Sequence, residues 1–158
     1  MARRGERPDL SPAQQYMFLK SSRVGCGTGS LDANGLGWEY KERPTPLSRE
    51  YTVRIEYQRG DMPKVFVADP DIAALAGGRE IPHVYKNPLR PCLCLPRSGE
   101  WTGTMRIDKT FVPWTLVWLY YFEEWLASND WKGGGIDPDE DRGLKQNRWE
   151  RRAFRRLG

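Results

Sequence analysis

Hydrophobic and polar positions alternate with period two in two stretches of the chain. Over residues 36–42, Trp38 and Tyr40 alternate with Gly37, Glu39 and Lys41; over residues 51–57, Tyr51, Val53, Ile55 and Tyr57 alternate with Thr52, Arg54 and Glu56. Successive side chains of a strand point to opposite faces, so each stretch predicts a strand with one buried face. Residues 64–68 (Lys-Val-Phe-Val-Ala) form a third candidate, and the connections at 43–46 and 60–63 are short enough for antiparallel neighbours. A meander is the economical topology, with a fourth strand predicted near residues 82–85.

Helical spacing appears at both ends. Ser11-Pro12-Ala13-Gln14 carries a capping Ser, Pro at the first helical position and Gln at the reciprocal capping-box position, predicting a helix to about Ser22. Its apolar residues Ala13, Tyr16, Met17 and Leu19 are expected on one packed side. From Phe111 to Ser128, Trp114, Val117, Trp118, Tyr121, Phe122 and Trp125 recur at three- and four-residue spacing, and Pro113 falls in the first turn, where a helix tolerates it. This helix is apolar nearly all round and is expected to be deeply buried, with Gly133-Gly134-Gly135 stopping it. A last helix is predicted over about residues 146–155, and residues 88–104 read as irregular and Pro-rich. The glycines between Gly25 and Gly37 invite a phosphate-loop reading, but that segment has no Lys and reads better as a flexible connection or turn, with nucleotide binding a minor possibility.

The fold class that follows is α+β: an N-terminal helix, an antiparallel meander of three or four strands, an irregular Cys-bearing segment and C-terminal helices. The domain spans residues 11–135, after a mobile tail at 1–10 and before a charged helical extension at 136–158. The length of 158 residues suits one domain and leaves no room for a second, nucleotide-activating module. A hydrophobic fraction of 39% with 7 Trp, 7 Tyr and 5 Phe supplies a core and rules out global disorder. The longest strongly apolar run, 12 residues at 111–122, is short of the roughly 18 to 20 a bilayer requires. No apolar stretch follows the basic N-terminus, so no secretory signal is expected and the cytoplasm is the expected location.

The net charge of +4 is concentrated. Arg142, Lys145, Arg148, Arg151, Arg152, Arg155 and Arg156 follow the acidic group Asp137, Asp139, Glu140 and Asp141. A basic tail can bind nucleic acid or an acidic protein face, although a solvated terminal helix is the plainer reading.

Candidate chemistry gathers in residues 81–101, which hold the single His, His83, and two of the three cysteines, Cys92 and Cys94. Three readings are open from the residue types. A cysteine on a rigid, non-helical segment can act as a nucleophile toward a thioester. Cys92, Cys94, His83 and the distant Cys26 can be counted as four zinc ligands, although Cys-x-Cys fits a zinc site less well than Cys-x2-Cys. Buried Cys is also a common small core residue, and a lone His is often hydrogen-bonded to backbone.

The order His83, Leu93-Cys94-Leu95, Trp101, after a helix and a meander and before helices, resembles the ubiquitin-conjugating (E2-like) fold. More narrowly, His83-Val84-Tyr85, Leu93-Cys94-Leu95, Glu100-Trp101, Pro113-Trp114, Trp118-Leu119, Glu124-Trp125-Leu126, Trp131 and Gly133 are similar to the ubiquitin-conjugating-like proteins of bacterial type II CBASS anti-phage operons, over about residues 11–135. The resemblance implies that Cys94 is the nucleophile, accepting a protein C-terminus as a thioester and passing it to an amine. It implies as partner the operon's cyclic-oligonucleotide synthase, whose conjugation would prime second-messenger synthesis, with or without a separate E1-like activating protein. His83 would position the active-site loop and Trp101 would stiffen it by packing. No cofactor, metal or membrane is implied. The family's oxyanion-stabilising Asn is replaced by Tyr85, so Asn87, Tyr85 or backbone amides near Cys94 would have to supply a donor. Cys92 shares the segment and is not separated from Cys94 by the pattern alone. Two rival readings remain: a non-catalytic scaffold of the same fold that binds the synthase, and a nucleic-acid-binding module using the basic C-terminus and exposed aromatics.

Overall fold

The computed structural model describes residues 5–96, 98–135 and 137–138. Helix α1 (Pro12–Ser21) starts as its sequence dictates: the Ser11 hydroxyl accepts from the Gln14 N–H at 3.1 Å, and the Gln14 side chain accepts from the Ser11 N–H at 2.8 Å. Its packed side differs from expectation. Gln15 and Leu19 are buried, whereas Ala13 is exposed and Met17 is 64% exposed. The reason is a polar one: the buried Gln15 amide donates to the Met105 carbonyl at 2.8 Å and accepts from the Ile107 N–H at 3.0 Å, tying α1 to the turn at Ile107–Lys109.

Four strands form one antiparallel sheet in the order β1 (Gly27–Asp32), β2 (Gly35–Glu42), β3 (Tyr51–Tyr57) and β4 (Lys64–Asp69). Register aligns the two alternating patterns, pairing Leu36 with Tyr57, Trp38 with Ile55 and Tyr40 with Val53, so that one face of the central pair is continuously apolar. Val65 and Val67 extend that face from β4, opposite Ile55 and Val53. The expectation of a loose connection at residues 25–37 is corrected, because residues 27–32 are a strand that forms a hairpin with β2. The glycines there serve close approach: a Cβ at Gly27 would run into the Glu39 carbonyl, and one at Gly29 into the Trp38 ring.

The predicted strand at 82–85 also changes partner. Its observed counterpart, β5 (Val84–Lys86), pairs with β6 (Leu89–Pro91) in a separate two-stranded sheet and not with the meander. Asn87 and Pro88 make the two-residue connection, so the nearest edge for β5 is the chain immediately following it. A short helix α2 (Ile72–Ala76), capped by Asp71 and ended by Gly77 at φ 62°, is too short to show helical periodicity in sequence.

Helix α3 spans Phe111–Ser128. It stops at Asn129, which adopts φ 57° and donates its N–H to the Trp125 carbonyl, so the helix ends before the glycine run expected to stop it. Nor is it buried all round. Phe111, Val112, Thr115, Trp118, Leu119, Phe122 and Trp125 face the core, whereas Val117 and Tyr120 are 53% and 44% exposed. Glu123 accepts from the Ser48 and Tyr51 hydroxyls, fastening the β2–β3 connection to α3. At the N-terminal edge, Leu10 donates to Gly103 at 2.8 Å and accepts from the Tyr57 hydroxyl at 2.6 Å. The helix predicted at 146–155, with its basic cluster, lies outside the described residues.

Among the described residues, no helix is long and apolar enough to cross a membrane.

Candidate active site

The segment after α2 folds back on itself so that residues 83–85 brace residues 92–94. His83 sits at φ 53°, a left-handed conformation that non-glycine residues seldom adopt. Three contacts hold its backbone. Its N–H donates to the Asp137 carboxylate at 2.8 Å, and its carbonyl accepts from the Trp118 indole at 3.0 Å and from the Cys92 N–H at 2.9 Å. The imidazole packs against Trp131 with centroids 5.0 Å apart and the ring planes tilted by 34°. Strain of this kind persists only where the surroundings over-determine it. Helix α3 and the segment following it therefore fix the turn through His83, and the turn fixes Cys92.

Beyond Pro91 the chain leaves β6, so Cys92 and Cys94 lie outside the strand. Cys94 is 6% exposed, and its thiol donates to the Met62 thioether at 3.7 Å, in the β3–β4 connection. The Cys94 carbonyl accepts from the Tyr85 hydroxyl at 3.4 Å and, more weakly, from the Cys92 thiol at 3.8 Å. Burial pushes the Cys94 thiol up to about 11, with Glu100 and Cys92 adding to the effect. The Cys92 thiol is also raised by burial, but the Tyr85 hydroxyl and Arg90 oppose the rise. Tyr85 itself is driven well above the usual phenol range, first by burial and then by Cys92, so it remains a protonated donor.

Both cysteines open on a cleft of about 380 Å³. Its apolar wall comes from α3 and the chain beyond it, chiefly Trp114, Val117, Trp118, Tyr121 and Trp131, and glycines 133–135 form part of the rim. Glu100 is the carboxylate in the lining. A mostly apolar lining with a few polar groups is the general make-up of a ligand cleft. At neutral pH a thiol with a pKa near 11 is thiolate in only on the order of one part in 10³ to 10⁴. Each thiolate that does form is correspondingly the stronger nucleophile, because nucleophilicity rises with thiol pKa.

Of the residues singled out in the sequence, His83, Cys92 and Cys94 come together at this cleft. Trp101 packs edge-on against Tyr57 and Phe111, with centroids 6.1 and 5.7 Å apart, and is not among the lining side chains. Asn87 is exposed at the β5–β6 turn. Cys26 is exposed, its thiol donating to the Ser22 and Arg23 carbonyls at 3.5 and 3.4 Å, and it does not line the cleft. Among the described residues no group of three or more His, Cys, Asp or Glu side chains is placed to hold a metal ion. The sequence carried little signal for Met62 or Asp137, because both reach the site from segments remote along the chain and have no recognisable spacing from Cys94.

A family model described as type II CBASS E2 protein matches residues 15–138, most of the chain and every residue that lines this cleft. No curated protein matches the sequence. The chain belongs to the type II CBASS E2 proteins.

Proposed function

We propose that this member of the type II CBASS E2 family is a thioester-forming transferase whose nucleophile is Cys94, whose acyl donor is the C-terminus of the CBASS cyclic-oligonucleotide synthase, and which acts in the cytoplasm. The observation that carries the reading is that Cys94 is among the residues lining an apolar-walled cleft, on a segment braced through His83. The carboxyl group arrives activated, as a thioester on a separate activating protein. The Cys94 sulfur attacks the carbonyl carbon, a new C–S bond forms, and the donor's thiolate leaves and takes up the proton released from Cys94. In the second half, an amine attacks the same carbonyl carbon, the C–N bond of the amide forms, the C–S bond to Cys94 breaks, and the Cys94 thiolate leaves and takes up the proton released by the amine. His83 and Trp101 act as positioning residues, His83 through its backbone and Trp101 through packing between β3 and the start of α3.

The burial of the Cys94 thiol favours a second reading, in which the fold binds the synthase without chemistry. Co-expression with the synthase and the activating protein that delivers its C-terminus separates the two. On non-reducing gels and by intact mass, a covalent adduct that thiol reductant removes is expected in the unmodified protein and in Cys92→Ala, and is absent from Cys94→Ala. A stable complex with no adduct in any variant assigns the scaffold role.

A further inference from the structure

We propose that Tyr85 is a positioning residue for acyl transfer, clamping the Cys92–Cys94 segment from behind the cleft through its hydroxyl. The inference rests on the reading of Cys94 as the acyl-accepting thiol. Tyr85 lies on β5 directly across from Arg90 on β6, and the Arg90 guanidinium sits 4.0 Å over the centre of the Tyr85 ring. That contact fixes the ring direction, since a guanidinium over an aromatic face is favourable and planar stacking leaves little freedom. The hydroxyl then reaches past the end of β6. It donates to the Cys94 carbonyl at 3.4 Å and opposes the burial-driven rise of the Cys92 thiol. A hairpin thus holds the chain that follows it at two points: backbone to backbone at His83 and Cys92, and side chain to backbone at Tyr85 and Cys94.

Tyr85 does not line the cleft, so it touches neither the incoming carbonyl nor the amine. Its effect passes through the Cys94 peptide unit: with that carbonyl anchored, the Cα–Cβ bond and the thiol keep one direction relative to the cleft wall. Asn87, the other side-chain donor of this hairpin considered above, is exposed at the turn. Because burial and the neighbouring thiols keep the phenol protonated, the donor persists over the whole working pH range.

Tyr85→Phe deletes the hydroxyl and keeps the ring on Arg90. With wild type and variant at matched folding stability, two readouts are compared. The first is the rate of acyl transfer from the activated synthase C-terminus to Cys94, expected to fall about 10-fold in kcat with little change in KM. The second is iodoacetamide alkylation of each cysteine in the free protein, followed by peptide mass mapping. Cys92 should react more slowly at a given pH, having lost the donor that supports its thiolate, while Cys94, no longer held, should react several-fold faster. Simple destabilisation would accelerate both cysteines together, which would overturn the proposal. So would equal acyl-transfer rates in the two proteins. If the wild type never carries an acyl adduct, the transferase reading falls by itself, and the clamp stands or falls on whether the two alkylation rates move in opposite directions.

Discussion

The carbonyl of His83 accepts the N–H of Cys92 at 2.9 Å, although the two residues are separated by a hairpin and His83 itself holds φ 53°. The bond faces Cys92 only because His83 is in the left-handed region. An ordinary extended residue there would turn the carbonyl away and release the segment that carries Cys94.

Substitution at His83 should therefore sort by backbone preference more than by side-chain chemistry. His83→Asn and His83→Val both lose the ring contact with Trp131, but Asn tolerates the left-handed region and a β-branched residue does not. His83→Val is expected to be less stable than His83→Asn by about 2 kcal/mol in urea unfolding. Equal stabilities would mean that the φ is relaxed at no cost and that the backbone account is wrong.

Buried Gln15 bridges α1 to the chain entering α3 through the Met105 carbonyl and the Ile107 N–H. Replacing it with Leu preserves bulk and leaves both backbone groups without their partner. The cost is expected to be about 2 to 3 kcal/mol in equilibrium unfolding, more than an exposed polar-to-apolar change would produce.

The raised Cys94 thiol makes stability depend on alkaline pH. Its ordinary value is 9.0 and its folded value about 11, so the unfolded chain ionises first. The stabilisation from keeping the thiol neutral is complete below about pH 9 and is lost as pH rises toward 11. The unfolding free-energy difference between wild type and Cys94→Ala should shrink by about 2 kcal/mol over that window. A difference independent of pH would show that Cys94 ionises as an ordinary thiol.

Asp137 supplies the acceptor for the His83 N–H at 2.8 Å from beyond the glycine run. We propose that the folded unit includes it. A chain ending at residue 138 should melt like the full-length protein, whereas one ending at 135 should lose about 1 to 2 kcal/mol, the usual loss when a charged acceptor is removed from a partly buried donor. Indistinguishable melting of the two truncations would remove Asp137 from the account of how the turn is held.

Period-two alternation at Trp38/Tyr40 and at Tyr51/Val53/Ile55/Tyr57 determined the two central strands, and the Ser11-Pro12-Gln14 cap determined where α1 begins, because these signals act between neighbours along the chain. The three- and four-residue spacing of Trp114, Trp118, Phe122 and Trp125 placed α3 for the same reason. Side-chain burial on those elements was less legible: Gln15 takes the place expected of Met17, since a buried amide is stabilised by two remote backbone groups that no local pattern announces. The glycines at 27 and 29 read as looseness along the chain, whereas across the sheet they are the only side chains small enough for Glu39 and Trp38 to approach. His83, Cys92 and Cys94 could be picked out as chemistry-bearing residues from their types and order. Their assembly, with Tyr85 on the Cys94 carbonyl, Met62 on its thiol and Asp137 and Trp118 on His83, was decided only by the tertiary structure, because hydrogen bonds between segments depend on positions in space that sequence separation does not encode.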